Sequence, residues 1–374
     1  MLLTREPVVN RNRAITANRL IAHATTVADV VAGLQQFEEE WPRQHPVFLS
    51  LGKLVPTPDL LEWSLPDNLM VEIPAPTLAH PKTQALLPQL QTAGISMCLS
   101  WFTPEAVLPA DIDWRFVIMD QRKLPQPSGS PSLSLAWGLK DIEGFDAAID
   151  NGYDGAAGWF FLKSNTPSKG MSPSHAQIVR LLNLVRSNAD IADIEAVLKQ
   201  DVALSYKLLR HINSAGFGLR CEIQSFRHAV TILGYNNLNK WLTVLLVTAS
   251  KDPSAPALMQ ASIARGRMME HIGAPFFEKA DHDNLFITGA FSLLPSLLGT
   301  SLGDLLGEMS LPESITDALI NEEGAYAPFL KLARAAERFD ASTLQQLADD
   351  LTIDPQKVNA ALLSGLQFAD SLQA

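Results

Sequence analysis

Residues 201–215 read DVALSYKLLRHINSA, and this stretch has the pattern of one amphipathic helix. Its apolar residues recur at the spacing of a single helix face: Leu204, Leu208, Leu209 and Ile212. Asp201 stands where a helix start favours an acidic residue, and Asn213-Ser214 leads into a glycine-bearing loop at 216–218. Further along, Gly234 predicts a point where the next two helices cross closely. The stretch therefore predicts tightly packed helices.

The helical pattern extends from this stretch in both directions. Ser174 is a favourable N-cap residue, and the apolar positions after it repeat at helical spacing. We predict an all-α domain over residues 174–374, with about ten helices, no sheet and a helical tail at the C-terminus. Residues 164–173 read SNTPSKGMSP, and this polar segment with its prolines and glycine predicts a linker.

Residues 1–163 follow a different pattern, in which short β-like runs alternate with helical ones. The predicted strands are 46–51, 69–73, 95–101, 114–120 and 133–136, and the predicted helices are 27–40, 80–93 and 140–151. A hairpin is predicted over 7–22. Such alternation is typical of βα units around a parallel sheet. Twelve residues separate Asp120 from Leu133, whereas a full βα unit needs about thirty. We therefore expect a barrel that lacks a helix here and is shrunken or open on this side.

Composition narrows the possible functions. The 374 residues exceed the roughly 150 of a typical single domain, which favours two domains. The net charge of -11 makes nucleic acid an unfavourable general partner. No apolar run reaches the roughly 20 residues of a membrane span, and no secretion signal is recognisable, so we expect a cytoplasmic protein. Cys98 and Cys221 lack ligand-spaced partners, which excludes a disulfide framework and a zinc motif.

The helical half resembles the HDOD family. The ordered match comprises residues 201–215 with Ile223, Ser225, Ala229, Val230 and 232–234, and the resemblance extends from about residue 172 to about residue 336. This family is similar to an HD-type phosphohydrolase scaffold that has lost its metal site. Where an active HD enzyme carries Gly-Leu-Leu-His-Asp, residues 289–293 read GAFSL. The resemblance therefore implies that the metal-binding histidine and aspartate have become Ser292 and Leu293.

Other histidines and acids in the helical half are further candidates for metal ligands. His282-Asp283 spells the HD pair, yet it lies about ten residues early, where an aspartate is typical of an N-cap or a first helical turn. His228 and the pair Glu270-His271 stand alone on helical stretches. We interpret all of them as ordinary surface or core residues.

In residues 1–163 the order of landmarks resembles an EAL domain, a β/α barrel whose active members hydrolyse cyclic diguanylate with two metal ions. The landmarks are NLMVEI at 68–73, GISMCLSWF at 94–102, FVIMD at 116–120 and GYDGAAGWFFLK at 152–163. Together the two resemblances imply the fold class: a degenerate, truncated, TIM-like β/α barrel in residues 1–163, followed by an all-helical HDOD domain. Proteins with this pair of domains act in bacterial signal transduction.

An EAL site needs several carboxylates and an asparagine at strand ends, since hard divalent metals take oxygen ligands. The resemblance implies that nearly every position has changed. The Glu-Ala-Leu triplet falls on Asn18-Arg19-Leu20, the second-strand asparagine on Ser50, the Asp-Asp-Phe element on Ser100-Trp101-Phe102, the Lys-x-Asp element on 118–120, the Glu-x-x-Glu pair on Trp137 and Lys140, and the late glutamine on Ala157. Glu72 and Asp120 remain, and we interpret them as ordinary polar residues at strand ends.

These replacements predict a protein that is not an enzyme, with no catalytic residues, metal site or cofactor. We expect it to act by protein–protein interaction, with the apolar HDOD helices offering a groove or face to a partner of unknown identity. The linker would permit the two domains to dock or separate. Two alternatives stay open. In one, the EAL-like half binds cyclic diguanylate without cleaving it, which apolar contact positions make unfavourable. In the other, the chain is a phosphodiesterase or HD phosphohydrolase that uses unrecognised ligands.

Overall fold

The structure is a computed structural model that describes residues 1–162, 173–199, 226–249 and 255–372. Contacts within the chain divide it into two units. The first comprises Met1–Ser164 with Arg334–Ala360, and the second comprises Asn165–Ala333 with Ala361–Ala374. The sequence-based division gave all of residues 174–374 to one domain, whereas residues 334–360 lie in the first unit. Residues 164–172 of the predicted linker and the signature stretch 201–215 fall outside the described residues, whereas Pro173 begins a helix.

The first unit contains a closed barrel of eight strands. The strands are β1 (Leu2–Asn10), β2 (Ile15–His23), β3 (Val47–Ser50), β4 (Leu69–Pro74), β5 (Ser96–Ser100), β6 (Trp114–Asp120), β7 (Leu133–Trp137) and β8 (Gly155–Ala157). Their order around the barrel is their order along the chain. β1 pairs antiparallel with both β2 and β8, and all other neighbours are parallel. The predicted hairpin and strands are confirmed. β1 begins at Leu2, five residues before the predicted start of the hairpin at residue 7, and the other predicted ends differ by at most one residue.

Of the two predicted alternatives, a barrel that is shrunken or one that is open on this side, the open one is wrong, because the barrel is closed between β6 and β7. These strands pair in parallel register from Phe116–Leu133 to Asp120–Trp137. The predicted lack of a helix between them is confirmed, since residues 121–132 form turns and bends. An irregular connection of this length is sufficient, because an extended chain covers about 3.3 Å per residue and β7 has five residues to run back along. Losing a helix has therefore not opened the barrel.

Within residues 1–162, three α-helices accompany the barrel: α1 (Val27–Leu34), α2 (Pro81–Thr92) and α3 (Ile142–Asp150). α1 begins with a capping box, in which Thr26 and Asp29 exchange side-chain to backbone hydrogen bonds. It ends earlier than predicted, because residues 35–40, QQFEEE, offer a single apolar side chain to bury. Short 3-10 turns replace further helices at Pro58–Glu62, Ala75–Ala79 and Phe160–Leu162.

The barrel interior has an apolar layer and, beside it, a polar one. The apolar layer consists of Val8, Ala17, Phe48, Cys98, Ile118, Leu135 and Ala157. Successive side chains on a strand point to opposite faces, so residues two positions further along point inward as well. At the carboxyl ends of the parallel strands these are Arg19, Ser50, Glu72, Ser100, Asp120 and Trp137, with Glu6 on the antiparallel β1. We call this end of the barrel the barrel mouth.

The described part of the second half is helical, as predicted. Its helices are α4 (Pro173–Arg186), α5 (Ile191–Lys199), α6 (Phe226–Thr248), α7 (Ala255–Gly273), α8 (His282–Phe291), α9 (Leu294–Leu298), α10 (Leu302–Gly307), α11 (Glu313–Thr316), α12 (Ala327–Ala335), α13 (Ala341–Asp350) and α14 (Pro355–Ser371). α6 is interrupted at Gly234, where φ is 71°. No atom of the described residues lies within 4 Å of a Cβ placed on Gly234, and the left-handed backbone explains the glycine. The close helix crossing predicted at Gly234 stays a prediction, because residues 201–225 are not described. None of the described helices has the length and apolar character required to span a membrane.

The C-terminal residues of the first unit cover an edge of β1 that β8 leaves unpaired. β8 pairs with Val8, Val9 and Asn10, and it approaches so closely that a Cβ at Gly155 would lie 2.4 Å from the Val9 carbonyl oxygen. Beyond these pairs, the Arg5 amide donates to the carbonyl of Ala336 at 2.8 Å. The Leu3 amide donates at 2.8 Å to Oδ1 of the fully buried Asn359, whose amide donates back to the Met1 carbonyl. Residues 334–360, which we call the returning segment, therefore satisfy buried backbone groups of the barrel.

Replacing Asn359 by alanine tests this coverage. The variant leaves the buried Leu3 amide without its acceptor, so we expect the free energy of unfolding to fall by about 1–3 kcal/mol in urea denaturation. Lys357→Ala changes an exposed residue of the same helix and is the control, with an expected effect within about 0.5 kcal/mol. Equal stability of the two variants would contradict the assignment.

Candidate functional site at the barrel mouth

A three-residue ion network lies at the centre of the barrel mouth. Arg19 on β2 donates from Nε and Nη2 to the two oxygens of Glu72 on β4, at 2.6 and 2.8 Å. Its Nη1 donates to Oε2 of Glu6 on β1 at 2.6 Å. The other oxygen of Glu6 accepts a hydrogen bond from the Trp137 indole at 3.3 Å, and Ser50 donates to Glu72 at 3.2 Å. The guanidinium therefore joins two carboxylates from separate strands.

Burial makes this network electrostatically strong. The side chains of Arg19 and Glu72 are 5% and 1% exposed. Burial alone would raise the pKa of Glu72, but the Arg19 guanidinium, helped by the hydroxyls of Ser100 and Ser50, holds that pKa below its ordinary value. Burial alone would lower the pKa of Arg19, but Glu72 and Glu6 together raise it. Arg19 and Glu72 are therefore charged at neutral pH, and each depends on the other for its charge.

A second arrangement forms the rim of the mouth. Asp120, at the end of β6, accepts two hydrogen bonds of 2.8 Å from Arg122, whose guanidinium lies 5.2 Å from the centre of the Trp137 ring. The pKa of Asp120 is lowered, mainly by the hydrogen bonds from Arg122. A Cβ at Gly138 would come within 2.9 Å of Arg122 Nε, so glycine leaves room for this side chain. Arg122 is thereby held in one place although it is exposed to solvent.

Trp101 completes the rim. Its ring packs edge-on against Trp137 with centroids 5.0 Å apart, yet the residue is 42% exposed. Its backbone has a φ of 54°, which is unusual for a bulky residue. Such strain persists where the surrounding structure imposes it, and it clusters at functional sites. The rim thus presents an indole and a guanidinium, both fixed against Trp137.

The residues at the positions of the EAL motifs differ in their burial and their contacts. Asn18 does not join the mouth, since its Oδ1 accepts from Arg5 at 2.8 Å. Ser50 and Ser100 are buried in the polar layer, Phe102 is buried and Ala157 belongs to the apolar layer. Lys140 is exposed. Glu72 and Asp120 are more than ordinary strand-end residues, because each is held in an ion pair at the mouth.

One expectation for this site needs correction. The positions that would contact cyclic diguanylate were expected to be apolar, whereas the mouth is lined by Glu6, Arg19, Ser50, Glu72 and Ser100. Sequence reasoning also missed Glu6 and Arg122. The signal for Glu6 was strand alternation in LLTREPVVN, which places Glu6 on the same face as the inward Val8, and an inward charge requires a partner. Nothing in the sequence pattern pairs Arg122 with Asp120.

The pair of metal ions that the EAL resemblance implies does not fit the residues at the mouth. Hard divalent ions need several free oxygen ligands, whereas both carboxylates at the centre already bind Arg19 and Asp120 binds Arg122. In the described part of the chain, no three His, Cys, Asp or Glu side chains are grouped closely enough to hold a metal ion.

A cavity of about 650 Å³ lies beside the mouth, within the first unit. Its walls include His23, Lys53 and Phe339, and the rings of His23 and Phe339 pack edge-on at 5.6 Å. Burial lowers the pKa of His23, whose Nε2 is 2.9 Å from the Thr4 hydroxyl. Because Phe339 belongs to the returning segment, the shape of this cavity depends on residues 334–360.

In the helical unit, Ser292 stands where the HD resemblance places a metal-binding histidine. Its hydroxyl accepts from Arg265 at 2.8 Å and donates to the Gly289 carbonyl at 2.6 Å. His282 begins α8 and lies within hydrogen-bond distance of the carbonyls of Ala274 and Phe277. Asp283 falls in the first turn of α8, as predicted.

Glu270 is not isolated, contrary to expectation. Lys240 donates to its Oε1 at 2.5 Å and Arg267 to its Oε2 at 2.9 Å. Burial, with the charge of Glu270, raises the pKa of nearby Asp283, and burial lowers that of Arg186 to about 10. The helical unit therefore also contains acids close to internal cations.

Residues 172–300 match the model of one protein family, described as the HDOD domain. The second half contains an HDOD domain. The match includes α4–α8 and the polar cluster around Glu270, and it confirms the HDOD resemblance. The EAL resemblance of residues 1–163 stays a prediction, although the closed eight-stranded barrel is compatible with it.

The HDOD-containing chain is similar to two curated bacterial proteins. Cyclic di-GMP phosphodiesterase CdgJ of Vibrio cholerae is 27% identical over 246 residues, which cover 65% of this chain and 57% of CdgJ. YuxH of Bacillus subtilis is 24% identical over 260 residues, covering 68% of this chain and 63% of YuxH. The matches thus span less than two thirds of either relative.

A solved structure from Shewanella amazonensis, "Putative phosphohydrolase", superimposes with a TM-score of 0.39 at 16% identity, over 52% of this chain and 93% of that chain.

The expectation that this chain is not an enzyme is contradicted by the comparison, because the similar protein CdgJ is named a phosphodiesterase. The expectation was based on the replacement of residues in the EAL and HD motifs. The absence of these residues does not establish that the chain lacks catalytic activity.

Glu72→Gln tests the ion network. The folded-state pKa of Glu72 lies below its ordinary value of 4.5, so its stabilising contribution is complete above that pH and is lost as the pH falls through the folded-state pKa. At pH 7 we expect the variant to lose about 3 kcal/mol in the free energy of unfolding. The difference from wild type should shrink below pH 4.5.

Glu38→Gln, at an exposed carboxylate of the same unit, is the control and should follow wild type at every pH. A Glu72→Gln difference that is independent of pH would contradict the charge assignment.

Proposed function

We propose that this chain is a cytoplasmic signalling protein, related to proteins of cyclic di-GMP metabolism, that acts by binding a protein partner. The observation that supports this most is the barrel mouth. Its central charges are satisfied by one another through Arg19, and its rim presents Trp101 and Arg122 to solvent. The signalling role is supported by the HDOD domain and by the similarity to CdgJ.

The rim has the chemistry of a protein interaction site. Tryptophan and arginine dominate the residues that carry binding energy at protein interfaces. Trp101 is fixed by Trp137, and Arg122 by Asp120 and Trp137, so little side-chain freedom remains to be lost on binding. The strained backbone at Trp101 costs about 1–3 kcal/mol. That cost is reasonable if the exposed ring has a role.

The helical unit offers a second surface for the same function. Phe276, in the 3-10 turn Ala274–Phe276 within the HDOD match, and Ile320, in the π-helical turn Asp317–Asn321 beyond it, are about half exposed and give this unit apolar surface. The proposal therefore covers two possible positions for a partner. Single substitutions in the full chain distinguish them.

Affinity capture from extracts of the native organism tests the proposal. The tagged full chain is compared with Trp101→Ala, Phe276→Ala and the control Leu133→Ala, each followed by quantitative mass spectrometry. Leu133 is half exposed but begins β7, at the end of the barrel remote from the mouth. We expect a stoichiometric partner whose recovery falls at least about tenfold in Trp101→Ala, since loss of a central tryptophan costs about 2 kcal/mol or more.

Each outcome has a defined meaning. Loss of the partner in Phe276→Ala, with retention in Trp101→Ala, would move the binding site to the helical unit. No specific partner with the wild-type chain, or equal loss in all three variants, would overturn the proposal.

A second candidate function is the binding of cyclic di-GMP at the rim. It is favoured by the exposed ring of Trp101 beside Arg122, because nucleobases stack on aromatic side chains and guanine accepts hydrogen bonds from arginine. The named substrate of CdgJ adds support. Calorimetric titration of the full chain should then give saturable heat that Trp101→Ala removes and Leu133→Ala retains. Chromatography of the recovered nucleotide distinguishes binding from hydrolysis. No heat at high micromolar protein would exclude this function.

A further inference from the structure

At the centre of the barrel mouth, the carboxylates of Glu6 and Glu72 bind a positive group of the chain itself, the Arg19 guanidinium. Three nitrogens of Arg19 donate to three carboxylate oxygens, at 2.6, 2.6 and 2.8 Å. The acceptors come from β1 and β4, which lie on either side of β2 and β3, and the side chain of Glu6 is 13% exposed. Two carboxylates that converge on one buried positive group are arranged as the ligands of a cation, and the cation can be a side chain or an ion.

Without Arg19 the same groups would be hard oxygen ligands. The two carboxylates would be accompanied by the Ser50 hydroxyl, which already lies 3.2 Å from Glu72 Oε1. Carboxylate and hydroxyl oxygens suit ions of the calcium and manganese type, and calcium accepts irregular geometry with water in the remaining positions. The Trp137 indole orients the second oxygen of Glu6 from 3.3 Å.

Charge balance gives the strongest reason for a replacement cation. Two carboxylates in a buried place repel each other and are costly without a counter-charge. Removing the guanidinium leaves Glu6 and Glu72 two ways to restore balance, which are to take up protons or to bind an external cation. A divalent ion compensates both carboxylates at once.

We propose that Arg19 replaces a bound cation between Glu6 and Glu72, and that a small neutral side chain at position 19 opens a site for one hard divalent ion. In the wild-type chain the tethered guanidinium excludes such an ion from this place and fills the site independently of the metal supply. The inference concerns cation binding at the barrel centre and does not depend on the proposed function.

The experiment measures cation binding in Arg19→Ala and Arg19→Gln of the full chain. Thermal unfolding is followed with and without Mn²⁺ or Ca²⁺, and Tb³⁺ luminescence is excited through tryptophan, since Trp137 lies against Glu6. We expect divalent ions in about hundredfold excess over Kd to raise the Tm of Arg19→Ala by on the order of 5 °C or more. Tb³⁺ emission should appear with the variant and be absent with wild type.

Two controls separate this site from surface binding. Arg19→Lys keeps a cation and should neither bind Tb³⁺ nor gain Tm. The double variant Arg19→Ala with Glu72→Gln removes a carboxylate and should lose most of the emission and of the Tm gain.

Several results would overturn the proposal. They are equal ion effects on wild type and Arg19→Ala, a folded Arg19→Ala that binds no ion, and emission that survives in the double variant. If Arg19→Ala and Arg19→Gln fold when Mn²⁺ is present but not without it, the proposal is supported. If both fail to fold in either condition, the ion does not substitute for the guanidinium and the proposal is wrong.

Discussion

The contact of Arg19 with Glu6 and Glu72 is the constraint on which the barrel mouth depends. A buried guanidinium and two buried carboxylates are tolerated when they satisfy one another, because each alone would carry a large desolvation cost. The network requires β1 to run antiparallel beside β2, so that Glu6 reaches Arg19 from one side, and β4 to bring Glu72 from the other. Closure of the barrel therefore determines which side chains meet at the mouth.

Closure in turn depends on the pairing of β8 with β1, which Gly155 allows by leaving room for the Val9 carbonyl. Residues 334–360 cover the part of β1 that β8 does not reach. The first strand therefore contributes to both features. Its inward Glu6 belongs to the ion network, and the backbone amides of Leu3 and Arg5 donate to residues 334–360.

Much of the fold was predictable, because strands and helices follow from periodicity within short segments. The hairpin, the parallel strands and the missing helix after Asp120 follow from local pattern and connection length. Closure between β6 and β7 was not predictable from length alone, and the position of residues 334–360 depends on contacts between residues more than 300 positions apart, such as Leu3 with Asn359. At the site, the sequence alone showed that acidic motif residues are missing. The pairing of Arg19 with Glu6 could be predicted only with knowledge of the register between β1 and β2. Relatedness to a named phosphodiesterase could not be inferred from missing ligands.

Arg19 is the cation of the barrel centre. Anomalous diffraction from crystals of the wild-type chain grown with manganese tests this assignment directly. We expect electron density for the guanidinium within hydrogen-bond distance of both Glu6 and Glu72, and no manganese peak between these carboxylates. A manganese peak between them, with Arg19 turned away, would show that the assignment is wrong.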